Sequence, residues 1–381
     1  MRVAVIGGAG FLGSHLVDRL LADGHEVDVI DDLSAGSLAN LAEARSSGGA
    51  LKFHHLDATS ADADTLIGMR RPELVYHLAL VPRGRRSPTE YAAGFGAALT
   101  TLEAARRHNV AKMVVALPAS ALYGEPSARS LPVKEGKLVP RGVRGVVARA
   151  IVDLLSTYRE RHAIEFTALA LATVYGPRKR PEGGVVAAFE HAAQTGTRPT
   201  FEGDGRQTRD LLFVDDAVDA MVKASERGSG LVVNVGTGEQ TTLRDLWEMV
   251  VAGVDGAPEP NTVAPRPYDL VRFAVSPVRA RIHLQWSPWT DVPTGLALLR
   301  EAHSFGPGLA RRRRDADRSP AGKATVSSAL LASFSGFAGV VMIVGVTMQR
   351  RPYDSNASAR SASTVSITSA DAIVAYRRAT Q

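Results

Sequence analysis

Cysteine is missing altogether from the 381-residue chain. That excludes disulfides, thiol nucleophiles and cysteine-ligated metals, and it fits a reducing, cytoplasmic setting. A signal-peptide pattern is missing too, since Met1-Arg2 runs straight into "VAVIGG", which reads as a buried strand. No internal repeat is visible, and no cluster of metal-ligand residues is expected. Most of the chain also lacks a charge imbalance. The whole carries +6, but eleven Lys/Arg and four Asp after residue 305 supply +7, so the first 305 residues sum to about −1. The globular part therefore offers no electrostatic case for nucleic-acid binding.

What is present over the first 120 residues is an alternation of two patterns. "RVAVIG", "EVDVID", "LKFHHLD", "ELVYHLA" and "KMVVAL" read as strands, while "FLGSHLVDRLLADG", stopped by Gly24, and "ALTTLEAARRHN" read as helices. Strands separated by helices imply βαβ units, a parallel sheet and right-handed crossovers. A helix is expected at about 145–162, then a strand in "EFTALALATVYG". A looser region follows, holding "GDGRQTRDLLFVDDAVDAM", the strand "LVVNVG" and the helix "TLRDLWEMVVAG".

Between the first strand and first helix, "GGAGFLG" supplies Gly7, Gly10 and Gly13. Glycine lets a backbone turn tightly against a pyrophosphate, whose charge a helix N-terminus favours. Asp31 ends the second strand, eighteen residues past Gly13. A carboxylate there accepts hydrogen bonds from an adenosine ribose and repels a 2′-phosphate, which points to NAD rather than NADP. The alternative, a glycine turn kept only for packing, has to account for both features. The expected fold is α/β, a Rossmann-type doubly wound parallel sheet with a smaller α/β substrate-binding lobe and a C-terminal tail. The NAD-binding lobe is expected over 1–165, exchanging some chain with a second lobe over 166–305.

After residue 305 a basic linker, 306–323, leads to an uncharged run, 324–349, and a Ser/Ala/Thr-rich tail, 350–381. The uncharged run exceeds the roughly 20 residues that a helix needs to cross a bilayer. Arg311 to Arg314, Arg318 and Lys323 outnumber the basic residues just beyond it, which predicts a single anchor holding the protein at the inner, cytoplasmic face. The alternative is a disordered low-complexity tail.

Over about residues 1–302 the chain resembles the extended short-chain dehydrogenase/reductases, in particular their nucleotide-sugar epimerase/dehydratase group, of the UDP-glucose 4-epimerase kind. The likeness is carried, in order, by "GGAGFLGSH", "VIDDLSAG", "HLD", "VYHLA", "SALYGEP", "LATVYGPR", "GDGRQTRDLLFVDDAV", "VNVGTG", "RPYD" and "LQWSPW". It implies NAD contacts from Gly7, Gly10, Phe11, Leu12, Gly13, Asp31, Asp32, Ser34, Asp57, Ala58, Leu78 and Ala79, with Asp57 against the adenine. It assigns the second lobe to a nucleoside-diphosphate sugar, bound through Thr173, Arg209, Arg266 and Asp269. Two guanidiniums, Arg209 and Arg266, suit two phosphates because each offers a charged fork. The alternative for each is an ion pair, with Asp210 and Asp269 as partners. Tyr268 stands where the family has glycine after "RP". A homodimer or a partner subunit is a further family expectation.

The same resemblance calls for a proton relay: a tyrosine, a lysine four residues later on the same helical face, and a nearby hydroxyl. The ammonium lowers the phenol's pKa so that a phenolate acts as general base. Aligned on proline and glycine, "PRGVRGVVA" places Arg144 at the tyrosine and Ala148 at the lysine. Counting back from Tyr123, the hydroxyl position is Ala119, with Ser120 one residue late. Arginine has no accessible neutral form and cannot take up a proton. The one literal Y-x-x-x-K, Tyr175 to Lys179, is interrupted by Pro177 and is read as a chance match.

Two functions follow. The first is an NAD-binding family member with impaired chemistry, a pseudoenzyme acting as scaffold, sensor or partner subunit, with Arg144 either a fixed cation in the cleft or an outward-turned surface residue. The second is an active epimerase or dehydratase with a relocated acid/base, for which Ser120, Tyr123, Glu125 and His191 are the candidates. A third, a fold used only for interaction, fails if NAD raises the melting temperature.

Overall fold

A computed structural model describes residues 1–79, 87–254, 256–265 and 270–305. The strands of the first half are β1 (Arg2–Ile6), β2 (Glu26–Asp31), β3 (Leu51–His55), β4 (Leu74–His77), β5 (Lys112–Pro118) and β6 (Glu165–Leu171). Those that follow are β7 (Thr173–Tyr175), β8 (Thr200–Glu202), β9 (Thr208–Arg209), β10 (Leu211–Phe213), β11 (Leu231–Val235), β12 (Thr241–Thr242) and β13 (Asn261–Val263). The principal sheet has seven strands, all parallel, in the order β11-β6-β5-β4-β1-β2-β3. Val3 to Ile6 are all buried, as a strand covered on both faces must be.

The helices are α1 (Phe11–Ala22), α2 (Ala42–Ser46), α3 (Ala61–Arg70), α4 (Pro88–Arg107), α5 (Ala119–Tyr123), α6 (Gly142–His162), α7 (Val185–Thr195), α8 (Val214–Glu226), α9 (Leu243–Val251), α10 (Val278–His283) and α11 (Val292–Phe305). From β1 to β2 the sheet grows one way, and from β4 to β5 the other. Right-handed crossovers therefore put α1 and α4 on opposite faces. The order reverses between β1 and β4, and the turn after β1 lies at that switch point, where open α/β sheets bind ligands.

Local chemistry explains two shifts of boundary. Helix α4 begins well before the apolar pattern, because Ser87 and Glu90 form a capping box with Pro88 in the first turn. The run "EFTALALATVYG" breaks at Ala172, because the chain changes partner. The Ala172 N–H donates to Val235 O and the Thr173 N–H to Asp210 O, both at 2.9 Å. The main sheet takes β6 and β11 from residues beyond 164, while β7/β10, β8/β13 and the antiparallel β9/β12 form three two-stranded sheets.

One buried carboxylate ties the second region together and gives a pH test. Asp216, in the first turn of α8, is fully buried. Its Oδ1 accepts the Trp289 N–H at 3.0 Å, and its carbonyl accepts the Trp286 indole N–H at 3.0 Å. Burial pushes its carboxyl up to about 6. A folded-state value above the ordinary 3.8 means stability that is complete below about pH 4 and lost as pH rises through 6. Asp216→Asn removes this dependence, worth at most about 3 kcal/mol. Urea melts of both proteins at about pH 5 and about pH 8 should show the native chain losing stability relative to the variant at the higher pH. Parallel pH dependences would refute the assignment.

Among the described residues no helix is long and apolar enough to cross a membrane. The run 324–349 lies outside the described residues.

Candidate cofactor and substrate site

The turn from β1 into α1 is built so that no side chain intrudes. Gly7 has φ +79°, a left-handed conformation that glycine adopts without penalty. At Gly13 an added Cβ would sit 2.1 Å from Gly7 O and 2.7 Å from Gly8 Cα, so helix and turn are in backbone contact. Ala9, at the crest, is held from both sides. Its N–H donates to Asp31 Oδ2 at 2.8 Å, and its carbonyl accepts the Ser37 N–H at 3.0 Å and Asn40 Nδ2 at 2.9 Å. Asp31 Oδ1 accepts the Leu33 N–H at 2.8 Å. Burial raises the Asp31 carboxyl above the usual range, and those two amides oppose the shift.

This cradle fits a dinucleotide. Gly10 caps α1 with no side-chain hydrogen bond, and the first turn holds no acidic residue. The helix thus presents its N-terminal amides and positive dipole end to an anion. Each Asp31 oxygen keeps a further lone pair for a ribose hydroxyl. Leu78 donates its N–H to Ile6 O at 3.0 Å, and Ala79 closes on Gly7, where a Cβ would meet it at 3.1 Å. Asp32 Oδ1 accepts the Ser34 N–H and hydroxyl at 2.9 and 2.7 Å, and Asp57 Oδ1 accepts those of Thr59 at 2.7 and 2.8 Å. Both carboxylates shape loops at the carboxyl ends of β2 and β3. Phe11, Leu12 and Ala58 are half-buried around the same edge.

The three positions read from the sequence as those of the relay lie on two touching helices. Ala119 opens α5 and Ala148 lies on α6, both with 0% exposure. Arg144 is half-buried in the first turn of α6, one turn before Ala148. The helices meet at Gly145, whose Cβ would lie 2.6 Å from Ala121 O. Two methyl groups and a guanidinium offer no group that takes a proton near neutral pH.

Of the four substitutes, three are engaged or exposed. Tyr123 is buried, its hydroxyl donating to Asn234 Oδ1 at 2.7 Å, and burial raises its phenol further from neutrality. Asn234 in turn donates Nδ2 to Val133 O and its backbone N–H to Glu135 Oε1, at 2.9 and 2.8 Å. Glu125 pairs with Arg141, His191 is exposed on α7, and Ser120 is half-buried on α5. Tyr175 and Lys179 share no helix. The Tyr175 hydroxyl donates to Val292 O at 3.4 Å, whereas Lys179 Nζ donates to Val174 O.

In the second region Thr173 opens β7. Arg209 Nη1 donates to Thr208 O at 2.9 Å and Leu270 O at 2.8 Å. Asp210, weighed above as its ion-pair partner, accepts four other hydrogen bonds, from the Thr237 N–H and hydroxyl and the Gly238 and Val275 N–H groups. Arg266 and Asp269 lie outside the described residues. Asn40, Asn234, Glu135 and Arg178, which pairs with Asp18 and Glu43, were not singled out in the sequence, and their contacts span gaps too long for local patterns to signal.

The family model for the NAD dependent epimerase/dehydratase family matches residues 3–236. A UDP-glucose 4-epimerase of Mycolicibacterium smegmatis is 40% identical over 310 residues, covering 78% of this chain and 96% of that relative. Among solved structures, a Thermotoga maritima UDP-glucose 4-epimerase with UDP-glucose is 31% identical, with a TM-score of 0.74 and coverage of 80% and 99%. A Thermus thermophilus UDP-glucose 4-epimerase in complex with NAD is 30% identical, with a TM-score of 0.71 and the same coverage. Glycine cradle, switch-point topology and these likenesses agree: the chain belongs to the NAD dependent epimerase/dehydratase family, and NAD is its cofactor.

Proposed function

We propose that the protein binds NAD and a nucleoside-diphosphate sugar but is impaired in moving the hydride, and serves as a binding or partner subunit. One observation carries this: the three relay positions hold Ala119, Arg144 and Ala148, on helices packed so that neither alanine is exposed. Loss of a positioned acid–base group costs about 10²–10⁴ in rate, and the residue that tunes it is lost as well. The sugar half of the reading is supported by relatives whose structures hold UDP-glucose or UDP-glucuronic acid.

An active epimerase with a relocated base is the competing reading, favoured by the 40% identity to a UDP-glucose 4-epimerase. Its best-placed phenol, Tyr123, is turned to Asn234 and raised in pKa, the opposite of what a base requires. Purified protein incubated with NAD and UDP-, GDP- and dTDP-sugars should bind without conversion. Turnover abolished by a substitution at Ser120, Tyr123, Glu125 or His191 overturns the proposal.

The basic and uncharged segments after residue 305 support a cytoplasmic protein held at a membrane. Truncation after residue 310 should move it from the membrane fraction to the soluble one. Full-length protein found wholly in the soluble fraction refutes the tether.

A further inference from the structure

Between β9 and β10 stands a single residue, Asp210, where the chain leaves one two-stranded sheet for another. It is 1% exposed, and three stretches of chain distant in sequence meet on it. Its carbonyl accepts the Thr173 N–H at 2.9 Å, where β7 begins. Its Oδ1 accepts the Thr237 N–H at 2.9 Å and hydroxyl at 2.7 Å. Its Oδ2 accepts the Gly238 and Val275 N–H groups, each at 3.1 Å. The neighbouring Arg209 continues the tie, donating Nη1 to Leu270 O at 2.8 Å. Gly236 shows how closely the carboxylate is fitted. A Cβ there would stand 2.6 Å from Asp210 Oδ2 and 2.5 Å from Val275 Cγ2, so only glycine admits both.

An apolar side chain would fill this space at less cost in desolvation. What the carboxylate adds is two acceptor-only oxygens, each meeting two donors, and so a fixed placement of three backbone segments. Those segments bear on the diphosphate sugar. Thr173 hangs on the Asp210 carbonyl, Arg209 adjoins Asp210, and the stretch 270–275 follows Arg266 and Asp269 in the sequence. We infer that Asp210 is a positioning residue of the sugar site: too buried to touch a ligand, it sets Thr173 and Arg209 in place against the 237–238 turn and the chain at Val275. None of these bonds involves the cofactor cradle built from Gly7 to Gly13, Asp31, Ser37 and Asn40. The inference rests on the proposed sugar reading of this region.

The test is calorimetric titration of the full chain with NAD and with whichever of UDP-, GDP- and dTDP-glucose the native protein binds most tightly. An amide at position 210 turns one acceptor into a donor, and either way round it leaves at least one backbone N–H unanswered. Asp210→Asn should therefore weaken the sugar nucleotide at least about tenfold and leave NAD within about threefold of the native affinity. Gly236→Ala, which crowds the same oxygen, should reproduce that split. Thr237→Val deletes one of the four donors at nearly constant volume and should weaken the sugar nucleotide about threefold to fivefold. Thr237→Ser keeps the hydroxyl and should restore native affinity, a rescue that a packing role would not give. Unchanged sugar-nucleotide affinity in Asp210→Asn, or equal losses for both ligands, overturns the assignment. Should that variant not fold, native affinity in Thr237→Val overturns it instead. Native protein that binds NAD and none of the three sugar nucleotides overturns the sugar reading itself, a different result.

Discussion

Alanine in place of Gly13 should abolish NAD binding, with affinity falling by at least about 100-fold (~3 kcal/mol). The added methyl would stand 2.1 Å from Gly7 O, 2.7 Å from Gly8 Cα and 2.9 Å from Gly7 C. All three are backbone atoms, so no rotamer relieves the clash. The turn has no slack to give, because Ala9 is bonded through both its N–H and its carbonyl to Asp31, Ser37 and Asn40. Helix α1 must withdraw instead, taking its N-terminal amides away from the diphosphate. Gly24→Ala is the contrast. That residue has φ +80° but nothing within 4 Å of an added Cβ, so it should cost only about 1–2 kcal/mol of stability and leave NAD affinity alone. Calorimetry with NAD and thermal melts separate the two. Gly13→Ala binding NAD within about threefold of the native protein would show that the turn does not hold the cofactor as described.

The legible part of this fold was the part governed by neighbours in sequence. Strands β1 to β5 announced themselves as short runs, most of them rich in β-branched residues, broken by amphipathic helices. The Gly7–Gly13 turn and Asp31 stood out because one βαβ unit contains both. The partner change at Ala172 was illegible in an unbroken apolar run, since it depends on Val235 and Asp210, brought alongside by chain folded much later. The start of α4 was written in "SPTE", a capping box, but the helical periodicity that draws the eye begins further on.

For the site the divide is sharper. The expectation that the relay is replaced rests on "SALYGEP" and "PRGVRG" alone. What the neighbouring groups do instead could not be read there. Tyr123 is kept from serving as a base by burial, with its hydroxyl turned to Asn234, 111 residues away, and Arg178 pairs with Glu43, 135 residues away. Such contacts leave no periodicity and no spacing to read. Asp210 shows the converse error. Adjacency to Arg209 makes it a candidate ion-pair partner, the alternative weighed above, but adjacency says nothing of which groups fold against its carboxylate. Its carboxylate serves the amides of Thr237, Gly238 and Val275.

Rebuilding the relay should restore chemistry only when all three positions change together. Ala119→Ser with Arg144→Tyr and Ala148→Lys is expected to raise conversion of a UDP-sugar by at least about 100-fold over the native chain, the lower end of what a positioned acid–base group supplies. Arg144→Tyr alone should add nothing measurable. A phenol with an ordinary pKa near 10 is under about 1% ionised at neutral pH, and only an ammonium one turn along α6 lowers that value by the needed 1–3 units. The pH profile distinguishes a working relay from trace contamination. Activity of the triple variant should rise to a plateau near neutrality, following the lowered phenol. The cost falls on packing: Ala148 has no exposure, so a lysine stem there needs the room that Arg144 vacates, and overpacking of about 1–3 kcal/mol should lower the melting temperature. A triple variant that folds and binds NAD and a UDP-sugar but converts nothing would place the defect elsewhere, in how the second region presents the sugar, and the relay would cease to explain the loss.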